Sequence, residues 1–196
     1  MRGEGSETAR LAAFSDGVMA VIITIMAFSL GVPKHTTWVA VTRQLPSLLV
    51  YVLSFVLIGI YWNNHHHLLR STERISGAVM WANLHLLFWL SLIPVATKWV
   101  GQSHQDSMPA SAYGIASFGT AVAYALLVRM IIRVNGRESL VAKAIGSDIK
   151  GILSIGLFAA GVGLAFLSPW IAYALYGTVA LLWFVPDRRL TRAQTG

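Results

Sequence analysis

The chain has no cysteine, so disulfides, thiolate metal sites and cysteine nucleophiles are excluded. Charge is scarce as well. Asp, Glu, Lys and Arg make up 12% of 196 residues, about half of the roughly 25% usual in a soluble domain. Acids are the scarcest, 8 against 15 Lys and Arg, which leaves a formal charge of +7. Enzyme signatures are missing too: there is no GxSxG, no HExxH, no Walker motif and no nucleophile with a base at useful spacing. No internal repeat and no low-complexity segment is present. What fills the chain is apolar sequence, 56% of residues, with a mean hydropathy of +0.63.

That apolar content falls into six segments, 11–32, 45–69, 75–100, 110–134, 149–167 and 169–185. A membrane span needs about 20 residues, and open sheet edges do not survive in lipid. The expected fold is therefore all-α, a polytopic membrane protein with six transmembrane helices, residues 1–196 forming a single subunit. The first segment keeps polar groups at its entrance and lacks a small-residue cleavage site, so it reads as a retained helix and not a signal peptide. Gly136 is placed to end the fourth helix, and Ser147-Asp148 to open and cap the fifth.

The basic residues report topology. With the N-terminus inside, the inner side holds Arg2, Arg10, Arg70, Arg74, Arg129, Arg133, Arg137, Lys143, Lys150, Arg188, Arg189 and Arg192. The outer side holds only Lys34, Arg43 and Lys98. This is a strong positive-inside bias with both termini cytoplasmic. It accounts for the excess of base without nucleic acid as a partner. Trp38, Trp62, Trp99 and Trp170 sit near segment ends, as in an interfacial belt.

Polar residues inside the spans are few and specific. Asp16 lies in an apolar segment, where a carboxylate costs about 2.5 kcal/mol or more. Its expected partners are His65, His66 and Asn83, with Ser15 beside it, because all lie near the inner ends of the first three helices. His85 falls near the same depth. Consecutive histidines on a helix point apart, so His65, His66 and His67 cannot share one metal, and no i,i+4 histidine pair exists. Asp16 and the histidines read either as a structural polar network or as a proton relay, the latter implying a proton channel or proton-coupled transporter.

At about 100° per residue, Gly17, Ala20, Thr24, Ala27 and Gly31 share one stripe of the first helix and read as a close-packing seam. Val21, Ile25 and Phe28 form a neighbouring stripe, with Phe14 and Arg10 in line below, and Asp16 about 140° away. That second stripe reads as core or lipid contact in a monomer. In an oligomer it reads as an apolar constriction around an axis. On the fifth helix, Gly156/Ala160 and Ala159/Gly163 are small-residue pairs expected to pack within the subunit.

The run Arg10-x-x-x-Phe14-Ser15-Asp16 before an apolar helix resembles the signature of the transmembrane protein 175 family of potassium channels. Trp62-x-Asn64-His65-His66, Trp81-x-Asn83-Leu84 and Leu92-Ile93-Pro94 strengthen the resemblance, which covers the first three helices. It implies a potassium-permeable homotetramer of six-helix subunits in the bacterial cytoplasmic membrane, surrounded by lipid, with the first helices lining a central pore. By the same resemblance Val21, Ile25 and Phe28 form a hydrophobic gate, Thr24 contributes to potassium selectivity, and the Phe-Ser-Asp triplet locks the first helix to the next two. Arg10, Phe14, Ser15, Asp16, Trp62, His65, His66 and Asn83 are then structural. Potassium is the permeant ion and no cofactor is implied. Val21 is smaller and Phe28 bulkier than the family's usual Ile or Leu, and His67 stands where many relatives have Arg.

Overall fold

The structure is a computed structural model that describes residues 4–33, 36–145 and 148–184. Among the described residues all regular structure is helical: α1 (Glu4–Phe28), α2 (Trp38–Thr42), α3 (Leu45–Arg70), α4 (Gly77–Gln102), α5 (Ser107–Asn135), α6 (Leu140–Ile145), α7 (Ile149–Leu164) and α8 (Pro169–Phe184). The expected all-α class holds. Of the six apolar segments, α1, α3, α4 and α5 are long and apolar enough to cross a membrane, whereas α7 and α8 are shorter, 16 residues each.

Local chemistry explains the ends. Ser76 caps α4 by accepting from the Val79 N–H, so that helix starts two residues later than the apolar run. Asp148 caps α7 through the Gly151 N–H at 2.9 Å, as expected, and Gly136 ends α5 at φ 92°, a conformation glycine adopts without a Cβ clash. Ser147, Val185 and the arginines at 2, 188, 189 and 192 lie outside the described residues, as does Lys34. The first helix stops at Phe28, four residues short of the apolar run. Gly31 and Pro33 follow, and neither favours continuation of a helix. The connection to α3 is not a bare loop: it contains α2, capped by the Thr37 hydroxyl through the Ala40 N–H.

Packing sorts the helices by position. α4 and α5 make the most extensive contact and form the centre, with α1 and α3 on one side and α7 and α8 on the other. Only 22% of the apolar window of α1 is buried within the chain, against 50% for α5, so α1 is peripheral to its own subunit. Its inward face is Leu11, Ser15, Met19, Ile22 and Met26. Large flexible side chains bury more area and fill gaps better than glycine or alanine. The small-residue seam Gly17, Ala20, Thr24 and Ala27 is not part of that face and is exposed.

On α7 the pairs Gly156/Ala160 and Ala159/Gly163, expected to pack within the subunit, do not. Gly156, Ala159, Ala160 and Gly163 are exposed. The close approach is made instead at Gly161 and Gly114, where any Cβ would collide with the Tyr176 ring or hydroxyl. The Tyr176 hydroxyl donates to the Ala110 carbonyl at 3.2 Å, so the ring threads between α5 and α7 and ends on a backbone acceptor.

A buried polar node joins three of the long helices. Ser54 donates to the Val50 carbonyl (2.8 Å) and accepts from Thr97 (2.7 Å) and Tyr113 (3.0 Å). A hydroxyl has one proton and two lone pairs. This assignment uses all three and ties α3 to α4 and α5.

Candidate functional site

The polar anchor of α1 is built from residues on three helices. Ser15 Oγ donates to the Leu11 carbonyl at 2.9 Å, which leaves only its lone pairs for other partners. Asn83 of α4 must then present its amide nitrogen to Ser15, at 2.9 Å. The Asn83 Oδ1 is left as acceptor, and His65 Nε2 of α3 must carry a proton to donate to it, at 2.7 Å. The chain of hydrogen bonds thus has a single polarity, from His65 through Asn83 and Ser15 to the backbone of α1. Ser15, His65 and Asn83 are all fully buried. The one loose end is His65 Nδ1, an unprotonated ring nitrogen with no partner among the described residues.

Asp16 does not join that chain. Its Oδ1 accepts from the Trp62 indole N–H at 2.9 Å, not from His65, His66 or Asn83 as expected. Adjacent helical residues diverge by about 100°, so Ser15 reaches Asn83 of α4 while Asp16 reaches Trp62 of α3. His66 stacks on the Trp62 indole, with ring centroids 5.8 Å apart and planes at 30°, and so supports the group that holds Asp16. Trp62 and His66 are one helical turn apart, a spacing that could have revealed the pairing. His85 is exposed and accepts from the Trp89 indole, apart from the anchor. Arg10 is exposed, and Phe14 is 52% exposed. Phe14 points away from the bundle, so of the Phe-Ser-Asp triplet only Ser15 and Asp16 reach α3 and α4.

The anchor fixes which face of α1 is left over. Val21 is 55%, Ile25 54% and Phe28 90% exposed, in line with Phe14 and about 110° around the helix from the buried row. Thr24 lies among them. Its hydroxyl donates to the Val21 carbonyl at 2.9 Å, which spends the proton and leaves oxygen lone pairs facing outward. The expected stripe of Val21, Ile25 and Phe28 is therefore presented outward, with Thr24 and the small residues on its flank.

The profile of the family described as "Endosomal/lysosomal potassium channel TMEM175" matches residues 10–94, from the start of the α1 signature to Pro94 of α4. A Chryseobacterium sp. (strain P1-3) protein called a potassium channel is 47% identical over 184 residues, covering 94% of this chain and 96% of its own. One from Streptomyces collinus, also called a potassium channel, is 31% identical over 189 residues, 90% and 91% of the two chains. The fold matches the crystal structure of a lysosomal potassium-selective channel TMEM175 homolog from Chamaesiphon minutus, with a TM-score of 0.80, 24% identity, and 94% and 98% of the chains covered. Matched over nearly its whole length, the chain belongs to the TMEM175 family, which comprises membrane channels and not enzymes.

Proposed function

We propose that the protein is one subunit of a homotetrameric potassium channel of the bacterial cytoplasmic membrane, with six membrane-crossing helices and both termini inside. The observation that carries the reading is the outward row of α1. Its apolar side chains, Val21, Ile25 and Phe28, stand exposed on a helix that packs on its own subunit by a different face, about 110° away. Four copies around an axis would cover that row. The residues would form three apolar rings, Val21 to Ile25 about 6 Å apart and Ile25 to Phe28 about 4.5 Å, from the rise per residue. Such rings exclude water and gate by dewetting. Thr24 adds a ring of oxygen acceptors with their protons already committed, suited to a cation losing part of its hydration shell.

The anchor supports this reading and not a proton relay. Its hydrogen bonds run from α3 through α4 and end on an α1 carbonyl, which holds α1 at one rotation and leads nowhere along the membrane normal. Arg10, Phe14, Ser15, Asp16, Trp62, His65, His66 and Asn83 are read together as the structural motif of that orientation. The test is potassium flux in reconstituted liposomes, with sodium and protons compared. Val21→Asn and Ile25→Asn are each expected to raise potassium flux by wetting a ring. Unchanged flux in both would remove this face from the ion path. Thr24→Val is expected to lower the preference for potassium over sodium while leaving total flux measurable.

A further inference from the structure

A cavity of about 500 Å³ opens at the end of the bundle where α1 stops and α3 begins. That is within the roughly 300–1,000 Å³ of small-ligand sites. Its lining is of one sign. Arg43 and Lys98 border it, with the side-chain amides of Gln44 and Gln102, and no acid contributes. Neither cation has an ion pair or a hydrogen bond among the described residues. The wall is fastened: the Ser47 hydroxyl of α3 donates to the Gly101 carbonyl of α4 at 2.8 Å, which holds the start of α3, two residues after Arg43, against the α4 end that bears Lys98. At the same end the indoles of Trp38 and Trp99 are exposed, as aromatic rings are at the level of lipid headgroups.

We infer that this cavity is an anion site that takes a phosphate group, held by the Arg43 guanidinium and the Lys98 ammonium. Arg offers a planar fork that matches two phosphate oxygens, and Lys a point charge beside it. Gln44 and Gln102 supply neutral donors. The phosphate comes from an outer-leaflet phospholipid or from solution, since both present the same oxygens. The inference that it acts on conduction rests on the function proposed above. Residues 28–31, which close the α1 side of the cavity, follow directly on the outermost apolar ring. Two uncompensated positive charges there repel entering potassium, and a bound phosphate cancels that field.

Calorimetric titration of the detergent-purified protein, at fixed ionic strength, tests the site with two probes: potassium phosphate and dihexanoyl phosphatidylglycerol below its micellar range. At least one is expected to bind to the wild type. The double variant Arg43→Gln, Lys98→Gln is expected to bind at least about tenfold more weakly, from the loss of two charge-assisted contacts. Arg129→Gln, an exposed cation far along α5, should bind as the wild type does. Binding of the lipid alone assigns the headgroup; binding of inorganic phosphate assigns the phosphate itself. No binding of either probe, or equal binding by the double variant with its thermal midpoint unchanged, overturns the site. In liposomes of phosphatidylglycerol against a neutral, phosphate-free galactolipid, potassium entry should rise about twofold or more in the wild type and not in the double variant. Binding with no effect on flux would keep the site and overturn its place beside the ion path, which separates a failure of the site from a failure of the channel reading.

Discussion

Replacing Asn83 with leucine separates a structural anchor from a proton path. The substitution keeps the number and branching of the side-chain heavy atoms and deletes two hydrogen bonds, of 2.7 and 2.9 Å. Ser15 still donates to the Leu11 carbonyl, so the group left stranded is the His65 Nε2–H, in a position with no solvent exposure. An orphaned buried donor costs about 1–3 kcal/mol, and hydrogen bonds measured within membranes fall at the low end, averaging about 0.6 and reaching about 1.7. A loss of about 1–2 kcal/mol follows. At about 2–4 °C per kcal/mol for a chain of this length, the thermal midpoint in detergent should fall by about 2–8 °C. Ser15→Ala strands only one Asn83 N–H and should cost less. The informative variant is the pair Asn83→Leu with His65→Phe. Removing both partners leaves no stranded group, so part of the lost stability should return, and potassium flux should stay close to that of Asn83→Leu or better. If Asn83→Leu melts with the wild type but abolishes flux, and the pair rescues neither, the hydrogen-bond chain conducts and the anchor argument is refuted.

Other predictions concern the packing that supports α1. Gly114→Ala and Gly161→Ala should each destabilise by about 1–3 kcal/mol through overpacking against Tyr176, whereas Gly156→Ala, with nothing near its Cβ, should be neutral or slightly stabilising; thermal midpoints of the three variants check this ranking. Ser54→Ala strands the hydroxyls of Thr97 and Tyr113 and should lower the midpoint more than Tyr113→Phe, which removes one donor and leaves no stranded group. The reverse order would show that the node is assigned with the wrong proton positions.

Much of the architecture was legible because lipid imposes a strong rule on sequence. Runs of apolar residues had to be helices, and Asp148 and Gly136 marked their ends as side-chain chemistry requires. The residues of the anchor were also legible, since Ser15, Asp16, His65 and Asn83 are polar where polarity is costly. Their pairing was not. Asp16 went to Trp62 because one helical step separates it from Ser15, and sequence depth alone carries no azimuth. The small-residue pairs of α7 misled for a related reason: Gly156 and Gly163 permit close approach without demanding it. Tyr176 decided which glycines were used, and its reach across two helices is a tertiary fact. The node at Ser54 escaped because serine, threonine and tyrosine in a span are individually unremarkable.

The polar anchor also has a mechanical consequence. Ser15 and Asp16 grip α1 near its middle, and the half beyond them runs out at Phe28 into a connection with no helical continuity. A rod held in this way is a lever. Rotation about its own axis would tear both grips, so the movement left to it is tilt. Ser15 and Phe28 are thirteen residues apart, about 20 Å along the helix. A tilt of about 5° about the grip then moves Phe28 by about 1.7 Å, and Val21, less than halfway along, by under half of that. Phe28 has the longest arm, so a small torque at that end of the bundle is felt there first.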